Sequence, residues 1–218
     1  TFALSGAGSI ATSSGLALSA AGATFDISAA NGNRTIGDLS GVAGSAILLG
    51  GRTLTVDGPG STTFSGVITG SGGLVKAGAD GALALEAVQA FTGPVTVAAG
   101  NLVLSGNPGL LQTASRIDVQ AGAGLIATSA GLTVFGGQTL GGHGTVYGDV
   151  LLNAGSTVSP GGSVGNFTVT GGVTWSGSSS ELFDMANMVS GTAGTNGWDL
   201  LTVSSLTINA SAEDRFTV

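Results

Sequence analysis

Cysteine is absent from the 218-residue sequence, which excludes disulfide bonds and thiolate metal sites. Charge is also scarce, since Asp, Glu, Lys and Arg make up 8% of the residues and the formal net charge is −7. The five basic residues form no stripe, which argues against binding to the nucleic-acid backbone, and we interpret each as a solvated corner residue. No apolar run reaches the roughly 18 residues of a membrane-spanning helix. We therefore expect no membrane insertion by this segment and expect any export signal to have been removed or to lie outside it.

Glycine, by contrast, is abundant: it occupies 41 positions, whereas proline occupies 4. So much glycine makes long helices costly, yet a sequence that is 42% hydrophobic must bury surface. The glycines have no three-residue period, so the chain is not collagen-like. Many short strands separated by tight turns satisfy both requirements.

A strand–turn–strand unit recurs in the second half of the chain, with an average spacing a little under 20 residues. Its turn glycines are Gly100, Gly122, Gly137, Gly155 and Gly172. Apolar residues alternate beside these turns, as Val95 and Val97 do, which is the period of a strand with one buried face. Stacked turn on turn, such strands bury one continuous ladder of Leu, Val and Ile.

These patterns predict an all-β fold, a parallel β-helix (β-solenoid) of about ten short-strand rungs that forms a single domain over residues 1–218. A β-sandwich would also produce short strands and turns and is the structural alternative. Two glycine-free stretches, 110–121 and 178–190, interrupt the rhythm. We interpret each as a corner insertion, formed by a short helical turn or a loop on the side of the rod.

Two sets of apolar residues are candidate contacts. Residues 178–198 form the predicted side loop or insertion, and insertions in such folds often carry function. Its candidate partner contacts, which could equally plug the core, are Phe183, Met185, Met188 and Trp198. Neither terminus shows a capping repeat, so the chain is expected either to be cut from a longer solenoid or to stack on other copies. The residues predicted for end-to-end stacking are Phe2, Leu4, Phe216 and Val218.

Several stretches resemble the passenger domains of bacterial autotransporters, specifically their autotransporter-associated β-strand repeats. Residues 70–106 are similar to the repeat unit, with Gly-Gly-Leu-x-Lys, Leu-x-Leu, Phe-Thr-Gly and Val-Thr-Val in order. Residues 138–171 are similar to the segment that follows it, with Leu-Gly-Gly-x-Gly-Thr-Val and Ser-Pro-Gly-x-Ser-x-Gly. WDLLTVSSLTI at 198–208 resembles a tail of large secreted repeat proteins, and the resemblance covers residues 40–218 best.

The resemblance implies a right-handed parallel β-helix that is secreted or displayed on the bacterial cell surface. Members of this family serve as adhesin stalks, surface fibres or carriers of a distal functional domain. It therefore implies a structural role as an adhesin or passenger stalk, with a host or neighbouring-cell surface as the partner. The alternative is a self-assembling extracellular fibre subunit that stacks head to tail on copies of itself.

The motifs that could carry chemistry are incomplete. The only histidine, His143, fills the variable position of Leu-Gly-Gly-x-Gly-Thr-Val and lacks the companion ligands of a metal site, so we interpret it as an exposed or half-buried turn residue. Ser163 lies in a Gly-x-Ser-x-Gly match, but the histidine precedes it and the strand–turn–helix context is missing. Val146 occupies the place of the calcium ligand in a Gly-Gly-x-Gly-x-Asp match.

A polysaccharide-active β-helix enzyme is the remote alternative. Such an enzyme needs paired carboxylates along one groove. The acidic residues are dispersed, although stacking could still bring Asp118 near Asp149. The prediction is therefore no enzymatic activity, no catalytic residue, no metal and no cofactor. For the fold itself, truncating a core leucine such as Leu104 or Leu152 to alanine is expected to cost about 2–5 kcal/mol.

Overall fold

A computed structural model describes residues 1–11, 13, 15–186 and 191–209. Within this part of the chain, no helix is long and apolar enough to cross a membrane. The strands, in chain order, are β1 (Phe2–Ala3), β2 (Gly15–Leu18), β3 (Thr24–Asp26), β4 (Arg34–Ile36), β5 (Asp38–Gly41), β6 (Ala46–Leu48), β7 (Leu54–Val56), β8 (Thr62–Phe64), β9 (Val67–Gly70), β10 (Leu74–Lys76), β11 (Ala82–Leu85), β12 (Ala90–Phe91), β13 (Val95–Val97), β14 (Asn101–Leu104), β15 (Arg116–Val119), β16 (Gly124–Ala127), β17 (Leu132–Val134), β18 (Thr139–Gly142), β19 (Thr145–Tyr147), β20 (Val150–Leu152), β21 (Thr157–Pro160), β22 (Asn166–Ser176), β23 (Ser180–Glu181) and β24 (Leu200–Asn209).

The strands build three faces of a solenoid, and the chain visits the faces in turn. The first face begins with β1, β3, β6, β9 and β12; the second contains β4, β7, β10, β13, β15, β18, β21 and β23; the third contains β2, β5, β8, β11, β14, β16 and β19. Neighbouring strands on each face run parallel, as β10 does between β7 and β13. The predicted parallel β-solenoid is therefore confirmed.

The solenoid has about eight turns, because its second face has eight strands among the described residues, and not the ten turns that were expected. Paired residues on that face lie from 18 positions apart (Thr139 with Thr157) to 23 apart (Arg116 with Thr139). The expected number was too high because the aligned turn glycines belong to different corners. Gly100 follows a second-face strand, whereas Gly137 follows a first-face strand. Aligning glycines from different corners made the repeat appear shorter than one full turn of the solenoid.

Towards the C-terminus, the third and first faces are joined in one strand. β17 and β20 continue the first face, and the second half of β22 pairs with β20 through Val173 and Trp175. The first half of β22 pairs with β19 on the third face. β24 then pairs with β22 along both halves, with a register shift between Val169 and Gly172 that marks the corner.

The core is a set of apolar ladders that run along the inside of the three faces. On the third face, Leu83, Leu102, Leu125 and Val146 stand above one another in register and are fully buried. Leu104 is buried one inward position further along β14. Residues between these inward positions point outward, as the alternation predicts.

The segment between β14 and β15 forms part of the first face of the solenoid and does not project from it as a side insertion, which corrects the interpretation of 110–121. Residues 108–113 form hydrogen-bonded turns, Leu110 and Leu111 are buried, and 116–119 is the regular strand β15. The Gln89 amide donates to the Leu110 carbonyl at 2.9 Å, and the Thr133 amide donates to the Pro108 carbonyl at 3.0 Å. The segment therefore replaces one first-face strand between β12 and β17.

The glycines of Leu-Gly-Gly-x-Gly-Thr-Val are explained by close approach between turns. A Cβ on Gly142, where φ is +110°, would lie 2.1 Å from the Val119 carbonyl oxygen. A Cβ on Gly144 would lie 2.4 Å from the Gln120 carbonyl oxygen. Real Cβ atoms do not approach oxygen this closely, so the glycines of this motif are required by the close packing of successive turns.

Candidate interaction surfaces

His143 is an exposed residue in the corner between β18 and β19. Its backbone amide donates to the Val119 carbonyl at 2.8 Å. Its ring lies against Gly165, where a Cβ would come within 2.5 Å of the imidazole Cδ2. The histidine thus fills space that a glycine leaves open on the next turn.

The other residues considered for chemistry do not converge. Ser163 is exposed in the turn between β21 and β22. Asp118 lies on the second face and forms an ion pair with Arg116 at 2.9 Å. Asp149 lies in the corner before β20, where its Oδ1 accepts the Gly172 amide at 2.8 Å. Among the described residues, no group of three or more His, Cys, Asp or Glu side chains is placed to hold a metal ion.

Lys76 is buried inside the solenoid, which corrects its interpretation as a solvated corner residue. It pairs in register with Val56 and Val97, and the inward position of β10 places its side chain in the core. The ammonium donates to the Gly78 carbonyl. Burial lowers the pKa of Lys76, and the negative charges of Asp57 and Asp38 partly oppose that shift.

The segment between β23 and β24 is fastened to the solenoid by Asp199. This buried carboxylate accepts the Gly165 amide at 2.9 Å and the Asp184 amide at 2.8 Å, one on each oxygen. An antiparallel bridge between Met185 and Trp198 closes the segment beside it. Asp199 therefore joins the turn before β22 to the strand that forms the last described layer.

A groove of about 340 Å³ opens at this end of the solenoid. Its lining residues include Trp175, Glu181, Phe183, Trp198, Leu201 and Leu206. Burial raises the pKa of Glu181, and the nearby charge of Asp199 raises it further. The groove is thus lined mainly by apolar side chains and holds two carboxyl groups, those of Glu181 and Asp199.

Exposed apolar side chains are frequent in the C-terminal part of the described chain. Six of the large apolar residues that are at least one-third exposed lie between residues 182 and 208: Leu182, Phe183, Met185, Leu200, Leu206 and Ile208. Of the predicted partner contacts, Phe183 is 38% and Met185 58% exposed, while Trp198 is half-buried. Met188 lies outside the described residues. We name this surface, with β24, the C-terminal end surface.

At the opposite end, residues 1–3 are exposed. Leu4 is buried, and Ile10 is partly buried against the core. Phe2 is exposed on one side and stacks on Phe25, with ring centroids 5.7 Å apart. The other two residues predicted for end-to-end stacking, Phe216 and Val218, lie outside the described residues.

Sequence reasoning missed two residues that organise the structure, Lys76 and Asp199. Lys76 follows Leu74 by two positions, so the alternation of the strand places both side chains on its buried face. This spacing was the signal that could have revealed the burial of Lys76. Asp199 had a weaker signal: it is a single acid between Trp198 and Leu200 in an apolar stretch. Both are polar residues in apolar patterns, where burial requires a partner.

Comparison with known proteins gives one partial similarity. Over 109 residues, the chain is 35% identical to the "Adhesin BmaC autotransporter" of Brucella suis biovar 1 (strain 1330). The chain is a weak homologue of an autotransporter adhesin. The aligned region covers 47% of this chain and 3% of the adhesin, so the chain spans a small fraction of the relative's length. No protein-family model matches the chain, and no solved structure matches it.

Proposed function

We propose that this chain is a rod-like part of a bacterial surface adhesin, in which it acts as a passenger stalk. The observation that carries the proposal is the uninterrupted stacking of parallel strands on the second and third faces. The similarity to an autotransporter adhesin, together with the repeat motifs, supports placing such a rod outside the cell.

The stalk works mechanically. At about 4.8 Å per turn, eight turns give a rod roughly 40 Å long. Backbone hydrogen bonds between turns run along the rod axis, and the apolar ladders beneath them exclude water. Bending the rod would break these hydrogen bonds and expose the apolar ladders, so the rod resists bending. A stiff rod holds a distal binding region at a fixed distance from the cell.

A non-catalytic role fits the distribution of polar groups. The carboxylates of Asp118, Asp149 and Asp199 are engaged by Arg116 or by backbone amides, which orient them for structural contacts. The exposed His143 has no acid or nucleophile hydrogen-bonded to its ring among the described contacts. A histidine that acts as a general acid or base needs such a partner to orient its ring and exchange a proton.

Surface labelling tests the proposal. Antibodies raised against the purified chain should bind intact, unpermeabilised cells of the source bacterium, and these antibodies should reduce attachment to a host or neighbouring-cell layer. An antibody against a cytosolic protein of the same cells is the matched control. Labelling that appears only after permeabilisation would show that the chain is not a surface stalk.

A further inference from the structure

The sequence contains two Asn-Gly pairs, Asn31-Gly32 and Asn196-Gly197, and the fold holds them differently. In such a pair the glycine amide nitrogen can attack the side-chain carbonyl carbon of the asparagine, because glycine has no Cβ to obstruct the approach. The attack needs a side chain that is free to turn towards the backbone and an amide that is not already hydrogen-bonded. Both asparagines are exposed, so contact with solvent does not distinguish the two pairs.

The Asn196-Gly197 pair is held in a hydrogen-bonded turn. The Asn196 side-chain oxygen accepts the Thr192 amide at 2.8 Å, and the Gly197 amide donates to the Thr192 carbonyl at 3.0 Å. The attacking nitrogen and the side chain under attack are thus both bound to one residue, and Gly197 is buried. Because the attack requires both hydrogen bonds to break, the turn protects Asn196.

The Asn31-Gly32 pair lies in the bend between β3 and β4 and lacks these contacts. Among the described residues, neither the Asn31 side chain nor the Gly32 amide forms a hydrogen bond. The Asn31 backbone amide does donate, to the Gly6 carbonyl at 2.8 Å. The backbone is therefore fixed before the reacting atoms, while the reacting atoms themselves are free.

We propose that Asn31 is a site of spontaneous modification, at which the Gly32 amide nitrogen closes a succinimide ring on the Asn31 side chain. A bond forms between this nitrogen and the side-chain carbonyl carbon, and the bond from that carbon to the side-chain nitrogen breaks. The Gly32 amide proton leaves with the side-chain nitrogen as ammonia. Water then opens the ring at either carbonyl, which leaves aspartate or isoaspartate. This site is independent of the stalk function proposed above.

The modification changes the surroundings of Arg34. The Arg34 guanidinium donates to the carbonyls of Gly32 at 3.0 Å and Asn33 at 2.9 Å, and also to that of Gly6, so it joins the bend to the preceding layer. Isoaspartate adds the Cβ of residue 31 to the main chain, which displaces the Gly32 carbonyl from the guanidinium. Formation of isoaspartate should therefore loosen the contact between this bend and Gly6.

Ageing of the purified, folded chain at mildly alkaline pH, followed by peptide mapping with mass spectrometry, tests the proposal. A mass gain of about 1 Da, from replacement of the side-chain NH2 by OH, is expected at residue 31 at least about tenfold faster than at residue 196. In concentrated urea, where neither turn is present, the two sites should react at similar rates. Equal rates in the folded chain, or a folded chain that gains no mass at residue 31 while the unfolded chain reacts, would overturn the proposal.

Gly32→Ala is the matched variant for the chemistry. A Cβ at Gly32 meets only the Arg34 guanidinium, at 4.0 Å, and the φ of Gly32 is not in the left-handed region, so the fold accepts alanine there. The added methyl group obstructs the attack, and the rate at residue 31 should fall at least about tenfold. An unchanged rate in this variant, with circular dichroism showing that it is folded, would mean that the Gly32 nitrogen is not the nucleophile.

Asn31→Asp separates the added charge from the lengthened backbone. This variant carries the charge of the modified chain but keeps the normal main chain, so the amide of residue 31 should exchange its hydrogen with solvent as slowly as in the unmodified chain. In aged chains that contain isoaspartate, the same amide should exchange faster, because its contact with Gly6 is loosened. Equal exchange in the aged and unmodified chains would contradict the effect assigned to the backbone.

Discussion

The carboxylate of Asp199 accepts a hydrogen bond from the backbone amide of Gly165, 34 residues earlier in the chain. Its second oxygen accepts the amide of Asp184, so one buried side chain satisfies two backbone donors from separate segments. Through Gly165, against which the ring of His143 packs, Asp199 connects three successive layers of the solenoid.

Replacing Asp199 with alanine should destabilise the chain by about 2–4 kcal/mol, because the buried Gly165 amide and the partly buried Asp184 amide both lose their acceptor. Urea unfolding followed by circular dichroism measures this loss. Asp184→Ala is the matched control: it keeps the backbone amide that Asp199 binds and should change stability by less than about 0.5 kcal/mol. Equal effects of the two substitutions would contradict the role given to Asp199.

Lys76 should make stability depend on alkaline pH. Its folded-state pKa is lowered from 10.5, so between the folded and unfolded values the unfolded chain binds more protons. The free energy of unfolding must therefore rise with pH across that interval. Relative to Lys76→Met, the unmodified chain should gain stability as the pH rises through the lysine's folded pKa towards 10.5, and the difference should be constant at lower pH.

Urea unfolding of both chains between pH 7 and 10.5 measures this difference. Lys76 is the sole lysine in the sequence, and the two chains differ at no other position, so the comparison isolates one group. A difference that stays flat over the whole range would mean that the ammonium is as well solvated in the folded chain as in the unfolded chain.

Gly142 and Gly122 should respond very differently to alanine. A Cβ at Gly142 would lie 2.1 Å from the Val119 carbonyl oxygen, so Gly142→Ala should cost more than about 3 kcal/mol by forcing two turns apart. Gly122 also has a positive φ, +78°, but a Cβ there meets nothing within 4 Å. Gly122→Ala should cost only about 1–2 kcal/mol from its backbone conformation. Similar losses in urea unfolding would show that φ alone decides both positions.

His143→Ala should leave both fold and assembly unchanged, because the imidazole is exposed and its backbone amide makes the contact with Val119. The expected change in stability is below about 0.5 kcal/mol. Thermal unfolding and sedimentation, run beside the unmodified chain, measure the two properties. Loss of either would show that the ring's contact with Gly165 holds the turns together.

The β-solenoid could be predicted from sequence because period-two alternation and turn glycines act locally in every turn. Val95 and Val97 reveal their buried face without knowledge of the rest of the chain. The number of turns was harder to predict, because Gly100 and Gly137 look alike in sequence but lie at different corners. Only the register between strands distinguishes those corners.

The end surface could be predicted only in part. Phe183 and Met185 stood out as apolar residues in an irregular segment, and they are exposed there. The exposure of Leu206 and Ile208 could not be deduced locally, because alternation predicts which residues face inward but not whether another layer covers them. Asp199 likewise depends on Gly165 and Asp184, partners that sequence spacing does not bring together.

The turn segment at 105–115 shows how such a chain can change length during evolution. It interrupts the first face, while β13 still pairs directly with β15 and β14 with β16. Two intact faces are enough to keep the register across an irregular turn. Whole turns can therefore be added or removed without redesigning their neighbours, and the length of a rod of this kind can change while each remaining turn keeps its own packing.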